Sequence, residues 1–81
     1  MRANDADRMV GRTVKVLRQI NNLTQQRVAE AMVGRGHATW SRATVSEVER
    51  GNRSVSIGEW VDLAASLDAV PAALVASILE D

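Results

Sequence analysis

Three helix-start signals divide the middle of the sequence into short elements. In each, a Ser or Thr suited to the N-cap position follows an apolar residue, and a second apolar residue comes four positions after the cap. Apolar side chains at this spacing pack against each other as a hydrophobic staple. The caps are Thr24, Ser41 and Ser56, and Glu59 completes a capping box with the last. Because few residues separate successive caps, the sequence predicts short helices joined by turns.

The apolar residues repeat with a period near 3.6, and no segment alternates as a β-strand does. Val10, Val14 and Leu17 form such a stripe in the first helix. The prediction is an all-α fold of five helices in a single domain that spans residues 1–81. The predicted elements are a flexible N-terminal arm over 1–6 and helices over 5–20, from Thr24, over 42–50, from Ser56 and over 70–81.

Composition excludes several kinds of chemistry. The chain has no cysteine and one histidine, which excludes a disulfide framework, a thiol nucleophile and a zinc site of ordinary spacing. Ser41 and Ser56 serve as caps, and no other residues form a catalytic pattern, so we expect no enzyme, no cofactor and no metal. No apolar run reaches the ~20 residues of a membrane span. Since the acidic N-terminus is also unlike a secretion signal, we expect a cytoplasmic protein that does not bind membranes.

Charge is distributed unevenly along the chain, although its net value is zero. Residues 1–55 contain all ten basic residues and five of the ten acidic residues, a formal charge of +5. Residues 56–81 contain the other five acids and no base, a formal charge of −5. A polyanion orients a domain of this kind, so the pattern favours nucleic acid as the partner of the N-terminal part.

The order of the motifs resembles one family of DNA-binding proteins. Residues 14–18 have the pattern V-x-x-L-R, residues 23–32 read LTQQRVAEAM, residues 44–51 read TVSEVERG, and residues 63–67 have the pattern L-A-x-x-L. Together these motifs resemble the Cro/repressor (XRE-type) helix-turn-helix family. The resemblance implies a lambda-repressor-like fold with the helix-turn-helix at the second and third helices. Residues 33–40 make the connection between these helices longer than the family's usual turn, so an elongated turn is expected.

The resemblance also implies a function, the sequence-specific binding of double-stranded DNA by a transcriptional regulator of the repressor kind. The third helix would read the major groove, and a homodimer would bind a palindromic operator with half-sites ~34 Å apart. Ile78 and Leu79 are large aliphatic residues near the chain end. They are the expected dimer interface, because a second protomer would cover them.

Specific roles follow from the resemblance. Base reading is expected of the third helix, where Arg suits guanine, Glu suits cytosine, and Thr or Ala suits the thymine methyl. The expected base-reading residues are Arg42, Ala43, Thr44 and Glu47. The expected phosphate-binding residues are Arg18, Gln25, Ser46, Asn52 and Arg53, with Arg35 and His37 as a flexible basic finger in the elongated turn. Arg18 is also expected to form a structural ion pair with Glu49.

Two alternative functions are left open by the sequence. One is an antitoxin with the same DNA-binding fold, whose acidic C-terminal half would neutralise a toxin partner. The other is an adaptor that binds proteins and no DNA. A duplex-binding measurement at two salt concentrations distinguishes the adaptor, because phosphate contacts make affinity fall steeply with salt. Co-purification of a second small protein would favour the antitoxin.

Overall fold

The computed structural model describes residues 4–67, which form four α-helices and contain no strand. The helices are α1 (Asp5–Ile20), α2 (Gln25–Gly34), α3 (Arg42–Glu49) and α4 (Ile57–Ser66). The predicted all-helical class is therefore confirmed for this part of the chain. The predicted fifth helix over 70–81, with Ile78 and Leu79, lies outside the described residues. Asp5 and Ala6, which the predicted arm over 1–6 also includes, are the first residues of α1.

The predicted N-caps of α2, α3 and α4 are confirmed. The Thr24 hydroxyl accepts the N–H of Arg27 at 3.1 Å, and Ser56 caps α4 in the same way. In α3 the Ser41 side chain accepts the N–H of Thr44, and the Thr44 hydroxyl accepts the N–H of Ser41 at 3.1 Å. Each cap satisfies an amide that has no acceptor within its own helix. The three helices therefore begin at the positions that the sequence predicts.

The core lies where the helices converge, with α3 packed against α1 and α2, and α4 packed against α2. Its side chains are buried or almost so: Val14, Val28, Ala29, Met32, Trp40, Val45, Val48, Leu63, Ala64 and Leu67. Trp60 is half-buried and packs against this cluster. Full burial of an aliphatic side chain stabilises a fold by about 1.5–3 kcal/mol, so this cluster is the main source of stability. None of the helices in residues 4–67 has both the length and the apolar character needed to cross a bilayer.

The backbones of α1 and α3 meet at Gly11. A Cβ atom on this residue would clash with the carbonyl oxygen of Val48 and would lie 2.8 Å from the carbonyl oxygen of Glu49. Any residue other than glycine would therefore separate the two helices. This contact holds the end of α3 against the middle of α1.

The connection between α2 and α3 is tied to α4. It begins after Gly34, and His37 Nε2 lies 2.7 Å from Asp62 Oδ2. Arg35 Nη1 lies 3.8 Å from Asp62 Oδ1, a more distant ion pair. The Asp62 carboxylate therefore holds the elongated turn at His37, and its pair with the exposed Arg35 is weaker.

A second carboxylate of α4, that of Glu59, joins this helix to residues on both sides of α3. It accepts from Arg53 Nη2 at 2.8 Å, from the Trp40 indole at 3.1 Å and from the N–H of Ser56 at 3.0 Å. The Arg53 guanidinium also lies over the Trp40 ring, 4.9 Å from its centroid. The hydrogen bond from Arg53 is the largest cause that lowers the pKa of Glu59, from 4.5 to about 2, and desolvation opposes it.

Replacement of Gly11 by Ala is expected to destabilise the domain, because the added Cβ pushes α1 and α3 apart. Such overpacking costs about 1–3 kcal/mol, whereas Ala gains only ~1 kcal/mol over Gly in a helix. Gly34→Ala is the matched control, since its Cβ meets no neighbouring element within 4 Å. Urea unfolding of the two variants measures the difference. Equal midpoints would contradict the close approach at Gly11.

The stability of the domain is expected to fall at low pH through Glu59. Because the pKa of Glu59 is lower in the folded protein, its ionised form stabilises the fold above pH 4.5, and this stabilisation is lost as the pH falls toward 2. Glu59→Gln suits the capping box but does not titrate. The difference in unfolding free energy between wild type and this variant should therefore shrink over that pH range. A difference that is independent of pH in urea unfolding would be the opposite result.

Candidate nucleic-acid interface

A cleft of about 600 Å³ opens between α1, the start of α2 and the outer face of α3. Four of its lining residues are cationic, one is acidic, and most of the others carry hydrogen-bonding groups. We call it the basic cleft, and it is lined by Lys15, Arg18, Asn22, Leu23, Thr24, Gln25, Gln26, Arg42, Ser46, Glu49 and Arg50. A concave surface with this charge suits an anionic ligand.

The Glu49 carboxylate joins three helices at this cleft. Arg18 donates Nε–H to Glu49 Oε2 at 2.6 Å and Nη2–H to Oε1 at 3.1 Å, a bidentate pair. Gln25 donates its amide to Glu49 Oε1 at 3.1 Å. The side chain of Glu49 is only 4% exposed and that of Arg18 only 14%. Because a third donor of Arg18 binds the carbonyl of Leu23 at 2.9 Å, the geometry favours a structural use of Arg18 over its expected phosphate contact.

The start of α2 contributes backbone donors to the basic cleft. Thr24 caps this helix, and Gln25 and Gln26 form its first turn. The first amides of a helix lack helical acceptors and carry the positive end of the helix dipole, so they bind anions. Gln25 is half-buried by its contact with Glu49. Its backbone N–H is therefore a better candidate phosphate donor than its side chain.

The outer face of α3 and its C-cap Arg50 carry mostly polar side chains. Arg42, Ala43 and Arg50 are exposed, and Ser46 and Glu47 are partly exposed. Arg50 Nη2 donates to Ser46 Oγ and to Glu47 Oε1, each at 3.0 Å. Within residues 4–67, Arg42 forms no ion pair. Its guanidinium is thus available for a ligand in the basic cleft.

A second, smaller depression of about 380 Å³ lies on the other side of α3. Its lining is Ala43, Thr44, Glu47, Asn52 and Arg53, all of them expected DNA contacts. Thr44 uses its hydroxyl in the cap of α3, and Arg53 directs two nitrogens to Glu59 at 2.8 and 3.3 Å. Asn52 is exposed. The structure therefore brings these residues together, with Thr44 and Arg53 already engaged in contacts within the protein.

The structure does not place the expected basic finger, Arg35 and His37, beside α3. Arg35 and His37 line neither depression at α3, because both are drawn to the Asp62 carboxylate of α4. An acidic partner far along the chain outweighs the flexibility that the neighbouring glycines provide. These two residues are therefore not grouped with the other expected phosphate contacts.

Lys15 and Arg50 line the basic cleft but are absent from the expected set. Lys15 precedes Arg18 by three residues in α1, so the two share one face of the helix. Arg50 follows Ser46 by four residues, which likewise puts it on the outer face of α3. Helical spacing places each residue on a face with a neighbour of the cleft, and the packing of α1 on α3 brings the two faces together.

Comparison with known proteins agrees with this geometry. A family model described as a helix-turn-helix domain matches residues 10–78. The structure resembles that of the restriction-modification controller protein C.AhdI from Aeromonas hydrophila, with 30% identity and a TM-score of 0.73 over 88% of this chain and 98% of that chain. It also resembles the clp gene regulator ClgR from C. glutamicum, with 23% identity and a TM-score of 0.77 over 91% of this chain and 88% of that chain.

The likeness to ClgR concerns the fold alone, because the identity is low. No curated protein sequence matches the chain. The helix-turn-helix family model nevertheless spans most of the sequence, from the middle of α1 to beyond α4. The capped helices α2 and α3 and the polar outer face of α3 agree with that match. The chain therefore belongs to the helix-turn-helix family, as a member of its XRE type.

Proposed function

We propose that this protein is a sequence-specific regulator of transcription that binds double-stranded DNA and reads the major groove with α3. The observation that carries the proposal is the basic cleft, in which the outer face of α3 meets the N-terminus of α2 and Lys15 of α1. The phosphate backbone supplies most of the affinity in protein–DNA binding, and base edges supply the specificity. This surface offers donors for both.

The dimensions of α3 suit the major groove. The helix has eight residues, and an α-helix with its side chains is about 10–12 Å across. The major groove is about 12 Å wide, which admits an α-helix with its side chains. With α3 in the groove, the start of α2 and Lys15 face the phosphates at its edge. These groups then fix the orientation of the protein without reading sequence.

The residues that contact bases in this proposal lie on the outer face of α3. Arg42 is exposed and suits guanine, whose N7 and O6 accept a bidentate guanidinium. Ala43 suits a thymine methyl by apolar contact. Glu47 would accept from cytosine after exchanging its bond to Arg50, an exposed pair of the kind worth less than about 1 kcal/mol. Arg50 would then turn to a phosphate.

A homodimer on a palindromic site is part of the proposal. One helix of eight residues reads only a few base pairs, so a single domain has little specificity. Two domains related by a twofold axis would read half-sites about one helical turn, ~34 Å, apart. The likeness to C.AhdI, a restriction-modification controller protein, supports a controlling role, and repression of transcription is the form of control that we propose.

Selection of bound sequences from random duplex DNA tests the proposed function. A dimeric regulator should enrich one palindromic motif with two identical half-sites. Competition with unselected duplex at two salt concentrations then measures the specificity ratio, because the electrostatic part of binding is common to all sequences. Absence of any enriched motif, with binding that stays weak at low salt, would contradict the proposal.

Arg42→Ala and Lys15→Ala are expected to separate base reading from phosphate binding. Both residues are cations in the basic cleft. Arg42→Ala should lose about 1–3 kcal/mol on the selected site and relax the preference at one base pair. Lys15→Ala should weaken binding to all duplexes alike and reduce the salt slope by about 1. Equal effects of the two substitutions on selected and random duplex would contradict the division of roles.

Glu49→Ala is expected to destabilise the domain and weaken DNA binding together. The substitution leaves Arg18 without its buried partner, and loss of one partner of a buried pair costs about 3–5 kcal/mol. Glu47→Ala is the matched control in the same helix, since its exposed pair with Arg50 is worth less than about 1 kcal/mol. Thermal unfolding compares the two variants. An equal melting temperature for both would show that Glu49 is not a structural residue.

A further inference from the structure

We infer that Glu59 positions the recognition helix α3 by holding the residues that flank both of its ends, without itself reaching the DNA. The inference rests on the proposed function, because it assigns to Glu59 a part in the reading of sequence. The sequence motifs identify Glu59 only as part of a helix cap.

Contacts at the two ends of α3 carry the inference. Trp40 immediately precedes the N-cap Ser41, and its indole N–H donates to Glu59 Oε2 at 3.1 Å. Arg53 follows the end of the helix and donates Nη2–H to the same oxygen at 2.8 Å. The guanidinium lies over the Trp40 ring, so the two flanking side chains also contact each other. We call Trp40, Arg53 and Glu59 the flank clasp.

The carboxylate itself is held in place by α4. Glu59 is the third residue of this helix, and its Oε1 accepts the N–H of Ser56 at 3.0 Å in the capping box. Its side chain is 16% exposed, and the Trp40 ring beside it is buried. The Arg53 side chain is 35% exposed, so water screens the ion pair in part, and the Trp40 hydrogen bond and the ring beneath the guanidinium add to it. The flank clasp therefore links α3 to a fixed point on α4.

The link matters because the apolar contacts of α3 are not directional and restrain small tilts of this helix only weakly. The helix packs chiefly against α1 and α2, and those contacts lie on the face opposite to the polar outer face. Small tilts of a short helix preserve such packing while they displace side chains at its ends. Base reading needs hydrogen bonds with defined geometry, whereas phosphate attraction tolerates displacement. Loss of the flank clasp should therefore reduce specific binding more than non-specific binding.

Glu59→Gln breaks the flank clasp and leaves the helix cap. Gln suits the third position of a capping box, so its oxygen stays on the N–H of Ser56. Its NH₂ group then faces the Trp40 indole and Arg53 Nη2, which are also donors, so these two hydrogen bonds cannot form. Only the longer bond from Arg53 Nη1 to the other oxygen, 3.3 Å in the wild type, can persist. The substitution also removes one negative charge, which favours binding to any duplex.

Asp62→Asn is the matched control variant. It removes the same charge from the same helix, one turn further along, but Asp62 contacts the turn residues Arg35 and His37 and not the flank clasp. The loss of one negative charge is therefore common to both variants, whereas the loss of direct hydrogen bonds to Trp40 and Arg53 is particular to Glu59→Gln.

The test measures the dissociation constants of wild type, Glu59→Gln and Asp62→Asn for the selected duplex and for a random duplex. We expect Glu59→Gln to lower the specificity ratio by about fivefold or more, a common size of coupling between sites, while its affinity for random duplex is unchanged or higher. Asp62→Asn should keep the ratio of the wild type. General destabilisation would weaken binding to both duplexes equally and would leave the ratio unchanged.

Hydrogen exchange in the free protein gives a second readout that requires no DNA. The amides of Val45 and Asn52 bond to Ser41 O at 3.1 Å and to Glu47 O at 2.9 Å, at the two ends of α3. Both should exchange at least about fivefold faster in Glu59→Gln than in Asp62→Asn. The amide of Asn21, bonded to Leu17 O at the end of α1, should exchange equally in both variants.

Four outcomes would overturn the inference. An unchanged specificity ratio in Glu59→Gln, with wild type that still selects one motif, would reject the role of Glu59 and leave the proposed function intact. An equal fall of the ratio in both variants would assign the effect to charge. Wild type that selects no motif would reject the proposed function and with it any part of Glu59 in reading. Exchange at Val45 and Asn52 that is equal in both variants would reject the flank clasp itself.

Discussion

The buried carboxylate of Glu49 is the interaction on which the candidate interface depends. A carboxylate that is 4% exposed requires donors from the protein in place of water. Arg18 of α1 and Gln25 of α2 supply them, so one side chain of α3 fixes the positions of two other helices. The same pairing neutralises the inner part of the basic cleft. The positive charge of the cleft is therefore carried by Lys15 and by the outer face of α3.

The apolar core and the polar contacts have different tasks in this small domain. Buried aliphatic residues on one face of each helix bring the helices together, but such contacts are not directional. Hydrogen bonds and ion pairs are directional, and they lie at the edges of α3, where Glu49 binds on one side and Glu59 binds the flanking residues. The close approach at Gly11 adds a steric limit. Together these contacts fix the position and orientation of the outer face of α3 relative to the rest of the domain.

The local features of the fold could be predicted from sequence, whereas the partners of distant charged residues could not. Thr24, Ser41 and Ser56 are recognisable caps because a cap and its amide lie within four residues. The ion pair between Arg18 and Glu49 was expected from the family resemblance, because no local rule relates residues 31 positions apart. Arg53 was expected at a phosphate but binds Glu59, six residues further along, because no cap or helix-spacing rule covers a pair that spans the connection between α3 and α4.

The partners of charged residues were also unpredictable in the elongated turn and in the basic cleft. Arg35 and His37 were expected near the DNA, but Asp62 binds both from a distant part of the sequence. Lys15 was missed because its position near α3 follows from the packing of α1 on α3, although it shares a helix face with Arg18. The predicted terminal helix over 70–81 lies outside the described residues, and the dimer interface at Ile78 and Leu79 stays a prediction.

A titration of ¹⁵N-labelled protein with its selected duplex, followed by NMR, tests the central claim that the basic cleft and the outer face of α3 form the DNA surface. The largest changes in amide chemical shift should lie at Lys15, at Gln25 and Gln26, and along α3. The exposed side of α4, which carries Ile57 and Val61, should change little. Changes centred on that side of α4, with α3 unaffected, would contradict the account.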